Sequence, residues 1–197
     1  MKPLDYSKHF TLLLSFIFVL NISKAQNQRY SFMAQKMGSP FNLIVFTKDS
    51  TLASQQADKS FRLIDSLNHI FSNYDSSSEL SMINRNAGIK PSPLSTLMYE
   101  LIQISQKAFI KSKGTFCISI GPLSALWRQA RKTKVFPSKK RVAKAKLESN
   151  FKLIIIDTLQ RTIYLPIRGM QIDFGGIAKG YIAQKVIEQL YQNGVHC

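Results

Sequence analysis

Acidic residues are scarce in this 197-residue chain: 11 Asp and Glu stand against 27 Lys and Arg, a formal net charge of +16. That imbalance suggests anionic partners such as nucleotides, nucleic acid or a membrane surface, but identifies no fold. Cysteine is nearly absent. Cys117 and Cys197 are the whole complement, which excludes a disulfide scaffold. Cys197 is the last residue, and no structural disulfide is expected. The histidines are His9, His69 and His196, and they form no metal or triad cluster. Ser119 and Ser124 lack a paired base, so a hydrolase triad is unsupported. With 9 Gly and 7 Pro, the chain is neither collagen-like nor low-complexity. Apolar residues make up 45% of it, enough for one ordinary globular domain with a real core.

Long apolar runs are missing too, with one exception. Residues 10–22 read FTLLLSFIFVLNI, behind a positive stretch with Lys2 and Lys8. Ser23-Lys24-Ala25 places small residues at −3 and −1 of a cleavage site, so residues 1–25 read as a secretory signal peptide. The run is shorter than the roughly 20 residues of a membrane span. An uncleaved anchor is the alternative. No Cys follows the run, so a lipid-anchored Cys is not expected. The mature part, residues 26–197, should be soluble and exported, to the periplasm or the outer face of the inner membrane.

Periodicity organises the remainder. Residues 29–33 and 41–46 read as strands joined by Met37-Gly38-Ser39-Pro40. A helix over 51–71 follows, with Ala57, Phe61, Ile64, Asn68 and Phe71 on one stripe. Residues 73–78 read as a polar loop. Ser76 and Glu79 have capping-box spacing, which starts a short helix through Ile83. Pro93 suits the first turn of a helix running to Ile110. Its buried face would carry Leu94, Leu97, Leu101, Ile104, Ala108 and Phe109. Gly114 stops it. A strand over 116–120, a helical turn from Gly121-Pro122 and a basic loop over 128–141 come next. A short helix over 138–147 and strands over 152–156, 162–165 and 170–174 follow. A last helix covers 177–192. Strands and helices mix without βαβ alternation, which predicts an α+β fold with packed helices and a mixed, largely antiparallel sheet. Val195-His196-Cys197 looks like the start of another strand, so the chain is expected to be a C-terminally truncated piece.

The strongest chemical signal is Ile172-Asp173-Phe174-Gly175-Gly176-Ile177-Ala178-Lys179-Gly180. A strand would end here, a Gly pair turn, and a helix begin with Lys179 in its first turn. Amides at a helix N-terminus attract phosphate, and glycine permits close approach. Asp173 could accept hydrogen bonds from a base or sugar, or help hold a metal. An ordinary strand-to-helix turn accounts for the same residues, and both readings stand. A second segment, residues 71–84 (FSNYDSSSELSMIN), puts Tyr74 on a polar loop where its ring could stack on a flat ligand; a helix entry with a solvated Tyr is the plainer reading. The third, residues 114–123 (GTFCISIGPL), says only strand and turn by itself.

Taken in order and spacing, these segments resemble the ApbE family of bacterial FAD:protein FMN transferases. Met37-Gly38-Ser39 is similar to the family's early Met-Gly-Thr. Residues 71–84 resemble its Tyr-containing S-x-Y…S-E-[LI]-S-x-x-N segment. Residues 114–127 resemble G-x-F-D-x-T-x-G-P-L…W, and 173–181 resemble D-L-G-G-I-A-K-G-Y. The resemblance implies an enzyme that takes FAD as substrate and, with Mg²⁺, attaches FMN to a Thr hydroxyl of a target flavoprotein, releasing AMP. It implies FAD contacts at Met37, Tyr74, Thr115, Phe116, Cys117, Asp173 and Lys179, and a metal ligand at the Gly176 carbonyl. It designates no catalytic residue. Cys117 stands where the family carries an acid, and a thiol is a poor substitute for a carboxylate acceptor. The family's later acidic and Thr metal ligands find no counterpart after Asp173. The fragment alone is therefore expected to have little transferase activity.

Two rivals remain beside the transferase: hydrolysis of FAD to FMN and AMP, and a non-catalytic exported flavin-binding protein. Residues 107–146 hold twelve Lys or Arg and no acid. They could steer FAD, meet an acidic target protein or touch an anionic membrane surface such as surrounds a membrane redox complex; a solvated basic loop is the plain alternative. No nucleic-acid motif appears, and nucleic acid is not expected as a partner.

Overall fold

The computed structural model describes residues 27–195; the expected signal peptide lies outside them. The described part is α+β, with two small antiparallel sheets and six helices. Strands β1 (Gln28–Lys36) and β2 (Ser39–Thr47) form a hairpin in register from Gln28 opposite Thr47 to Lys36 opposite Ser39. Its two-residue turn is Met37-Gly38, with φ of +52° and +71°. Two left-handed residues match the right-handed twist of the flanking strands. Met37 tolerates that strain at a residue that also packs against the core.

Helix α1 (Ser50–Phe71) is capped by Asp49, whose carboxylate accepts from the Thr51 and Leu52 amides. Its buried stripe includes Ala53, Ala57, Ile64, Leu67 and Phe71. Helix α2 (Glu79–Arg85) starts later than expected from Ser76. Ser78 is the cap, accepting from the Ser81 amide at 2.9 Å. Glu79 reaches instead to the Ser95 amide, at 2.8 Å, so it closes no capping box.

Pro93 is not helical. With Ser92 it forms β3, pairing with β5 (Thr162–Tyr164), which pairs in turn with β4 (Ile155–Asp157). An edge strand is where Pro fits a ladder. Helix α3 (Thr96–Lys111) begins after Ser95, whose hydroxyl accepts from the Met98 amide. Met98, Leu101, Ile102 and Ser105 are its buried residues, and Ile104 is exposed, against expectation.

The segments expected as strands over 116–120 and 170–174 do meet, but not as a ladder. Residues Ile118–Ile120 coil into a 3₁₀ turn that runs into α4 (Gly121–Thr133). Two backbone bonds join the segments: Asp173 N–H to the Ile118 carbonyl at 2.8 Å, and Gly121 N–H to the Gln171 carbonyl at 3.2 Å. The Ile172 amide and carbonyl bond to the Asn84 side chain instead. With the Ile172 pair spent that way, the segment keeps only two backbone bonds to 118–121 and builds no ladder there. The basic loop is likewise shorter than expected. Helix α4 continues to Thr133, and α5 (Lys139–Leu147) starts at its Ser138 cap. Residues Phe151–Leu153 are another 3₁₀ turn, so β4 begins at Ile155.

The last helix, α6 (Ala178–Gln192), packs against α1. Phe71 meets Phe174 and Tyr181 edge-on, with ring centroids 5.9 and 5.6 Å apart. These rings, with Leu43 and Val45 of β2 and Ile182 and Val186 of α6, build one core. Its rim carries the four sequence segments singled out above. No helix among the described residues is long and apolar enough to cross a membrane.

Candidate functional site

The residues expected at a binding site line two cavities that abut. One, of about 640 Å³, takes Met37, Tyr74, Asp173 and Lys179 into its wall. The other, of about 470 Å³, is walled by Tyr74, Thr115, Phe116, Cys117, Asp173 and Gly176 among others. Tyr74, Asp173 and Gly175 belong to both. Residues as far apart in sequence as Met37 and Lys179 thus converge on one rim.

Tyr74 sits at the tip of a loop tied down from within. The Ser72 hydroxyl accepts from the Tyr74 and Asp75 amides. Ser78 donates to the Ser72 carbonyl at 2.6 Å, and Ser81 to the Asp75 carbonyl at 2.7 Å. The Asp75 carboxylate accepts from Ser77 and lies 2.6 Å from His69 Nδ1; the Ser77 bonds, then His69, lower its pKa. The ring itself is 84% exposed. The tied-down loop thereby presents an exposed ring with Arg128 over one side, and an open aromatic face is what stacking on a flat ligand requires.

The 114–117 stretch turns sharply after α3. Gly114 has φ +85°, and the Phe116 amide donates to the Ser112 hydroxyl at 2.9 Å. The Phe116 ring lies against Gly176: a Cβ there would come 3.3 Å from it. Cys117 is half-buried. Its sulfur is 2.9 Å from the Ser119 hydroxyl, which donates to the Ser149 carbonyl at 2.8 Å.

Asp173 divides its carboxylate. Oδ1 accepts from the Gly175 amide at 2.8 Å, and Oδ2 from Arg128 Nη1 at 3.0 Å. Beyond it, the Ile177 and Ala178 amides both donate to the Phe174 carbonyl. Several amides of the turn are therefore spent internally, and within the turn itself the anion-attracting element is chiefly the charge of Lys179. That residue occupies the first turn of α6 as expected and reaches back to the hairpin, donating from Nζ to Ser39 Oγ at 2.9 Å.

The described residues do not assemble a cation site. No group of three His, Cys, Asp or Glu clusters among them, and both Asp173 oxygens are occupied by donors. Gly176 offers at most one carbonyl where a divalent ion needs several oxygens.

Four wall residues escaped the sequence reading as a group: Ser124, Trp127, Arg128 and Arg131. They follow the i, i+3, i+4, i+7 rule of a single helix face. Continuing the helix opened by Gly121-Pro122 past Trp127 would have found them. The Lys and Arg content beyond Trp127 suggested a solvated loop instead.

A family model described as "ApbE family" matches residues 37–197. A protein of Klebsiella pneumoniae (strain 342) named FAD:protein FMN transferase is 32% identical over 87% of this chain and 53% of its own length. A protein of the same name from Chlamydia trachomatis serovar D is 30% identical over 74% of this chain and 46% of its own. Among solved structures, the flavin transferase ApbE from Vibrio cholerae superposes with a TM-score of 0.78 at 21% identity, covering 86% of this chain and 55% of that one. The apo form of Pseudomonas stutzeri flavinyl transferase ApbE gives 0.77 at 22% identity, over 88% and 56%. At those identities the structures support the fold. The chain spans about half the length of the curated relatives it matches.

Proposed function

The chain belongs to the ApbE family, and from that premise we propose that the protein binds FAD at the paired cavities and transfers FMN to a Thr hydroxyl of a target flavoprotein, releasing AMP. One observation carries the reading: all four sequence segments meet around Asp173. Two cavities sharing a rim suit a dinucleotide, with a flat ring system in one, the other end in its neighbour, and the pyrophosphate between them.

The step is a phosphoryl transfer. The Thr oxygen bonds to the phosphorus on the FMN side and gives up its proton to solvent, the bond to the AMP oxygen breaks, and AMP leaves. Positioning and charge neutralisation carry most of such a reaction. Lys179 supplies positive charge beside the rim, and Asp173 holds the Gly175 amide in place. Tyr74 offers a stacking face. Mg²⁺ dependence is supported by the resemblance alone, with the Gly176 carbonyl as candidate ligand. The target is read as a subunit of a membrane redox complex, reached by an exported protein at the outer face of the inner membrane. The basic face near Trp127 and Phe136 suits an acidic partner or an anionic membrane surface.

Cys117 favours a second reading. Its sulfur faces Ser119 where the family carries an acid, so a flavin-binding protein without transfer chemistry would keep this site. AMP release from FAD separates the readings. Release that requires a Thr-containing acceptor supports the transferase. Release without one means hydrolysis, and tight FAD binding without release means a binding protein.

A further inference from the structure

Arg128 is poised for more than a surface charge. It lies in the wall of the Thr115–Cys117 cavity, on the face of α4 it shares with Ser124, Trp127 and Arg131. Its guanidinium donates from Nη1 to Asp173 Oδ2 at 3.0 Å and stands 5.5 Å from the centroid of the Tyr74 ring. The two partners retain 28% and 10% side-chain exposure. Arginine has five N–H donors in a planar fork. Among the described residues, Arg128 commits that fork to a single hydrogen bond. The remaining donors stand in the cavity wall. At 28% side-chain exposure those donors stay open to solvent, and a ligand entering the cavity can take them. A planar fork fits the oxygens of a phosphate in paired fashion, which a lysine cannot do.

The placement is also informative. Lys179 lines the other cavity, and Asp173 and Gly175 are common to both. Arg128 and Lys179 therefore belong to two different cavities that meet at the shared rim. The Asp173 pair does two things there. It aims the fork, and it offsets a carboxylate charge that would otherwise repel phosphate at close range.

We propose that Arg128 is a ligand-binding residue that grips the pyrophosphate of a flavin dinucleotide, steadied by Asp173 and by the face of Tyr74. The inference rests on reading the paired cavities as an FAD site. It does not depend on whether FMN is then transferred, so a protein that binds FAD without transferring it leaves Arg128 in this role.

The test titrates full-length wild type, Arg128→Gln and Arg128→Lys with FAD and with riboflavin, a flavin that carries no phosphate. Flavin fluorescence reports binding, and thermal melting confirms folding. Arg128→Gln should weaken FAD binding by about tenfold to a hundredfold and leave riboflavin within about twofold, because a charged hydrogen bond to phosphate is lost. Arg128→Lys should fall between, since charge remains and the fork does not. Unchanged FAD affinity in Arg128→Gln would overturn the inference. Equal losses for FAD and riboflavin would overturn it too, by assigning Arg128 to holding Tyr74. Should Arg128→Gln not fold, the same comparison of the two flavins in Arg128→Lys decides. A wild type that binds neither flavin overturns the FAD-site reading itself.

Discussion

Replacing Asn84 by Ala should destabilise the fold by about 2–4 kcal/mol and loosen the candidate site with it. The Asn84 side chain is a clasp. Its Nδ2 donates to the Ile172 carbonyl at 3.0 Å and to Asn73 Oδ1 at 3.1 Å, and its Oδ1 accepts from the Ile172 amide at 2.7 Å. It therefore ties the loop that carries Tyr74 to the residue preceding Asp173. Ile172 is fully buried, at 0% exposure. A typical hydrogen bond nets about 1 kcal/mol, but a buried group left unpaired costs about 1–3 kcal/mol. Alanine removes three bonds and strands two buried backbone groups, which sets the range given. With a urea slope of about 2 kcal/mol per molar, the middle of the usual range, the midpoint should fall by roughly 1–2 M. Asn84→Asp is the control. It keeps the acceptor for the Ile172 amide but sets a carboxylate oxygen against the Ile172 carbonyl, so it should not rescue. FAD affinity should fall in both variants. A loss under about 0.5 kcal/mol, within the ordinary range of surface substitutions, would refute the clasp and mean that core packing of Ile172 and Phe174 suffices.

Further expectations follow from other contacts. A Cβ at Gly121 would lie 2.5 Å from the Gln171 carbonyl oxygen. Gly121→Ala should therefore cost about 1–3 kcal/mol by overpacking, seen as a lowered denaturant midpoint. Tyr181 and Lys185 both meet Glu100, at 2.9 and 2.8 Å. Burial, then the Glu100 hydrogen bond, pushes Tyr181 up to about 12, and the Glu100 hydrogen bond leads in raising Lys185 to about 12. Raised values mean tighter protons in the fold, so this stabilisation is complete below pH 10 and drains away as pH rises toward 12. Melting curves over that range should show a steeper alkaline loss in wild type than in Glu100→Gln. Glu100 itself is lowered, chiefly by the Lys185 hydrogen bond; its share is present above the ordinary carboxylate range and is lost on further acidification. Lys179→Ala should leave melting within about 0.5 kcal/mol, because its bond to Ser39 is exposed, yet weaken FAD binding about tenfold.

What could be read from residues alone depended on how local the cause was. The hairpin, α1 and α6 follow from periodicity and local turn chemistry, and each formed close to expectation. The segment 170–174 did not. Its apolar run suits a strand, but a side chain 88 positions away takes the Ile172 amide and carbonyl, and no local pattern encodes that. Helix α4 was cut short because its charged residues read as loop. Burial by cavity walls rather than by core made its amphipathic face hard to see. The cavity-lining residues Met37, Tyr74, Asp173 and Lys179 stood out as motifs, whereas Arg128 was legible only as a position on a helix face.

The most direct test of the transferase reading incubates full-length protein with FAD, Mg²⁺ and a Thr-containing acceptor peptide, then weighs the peptide. The account predicts a mass gain of one FMN joined through phosphate, lost in Lys179→Ala. An unmodified peptide, with free FMN and AMP accumulating or with FAD bound and intact, would contradict it.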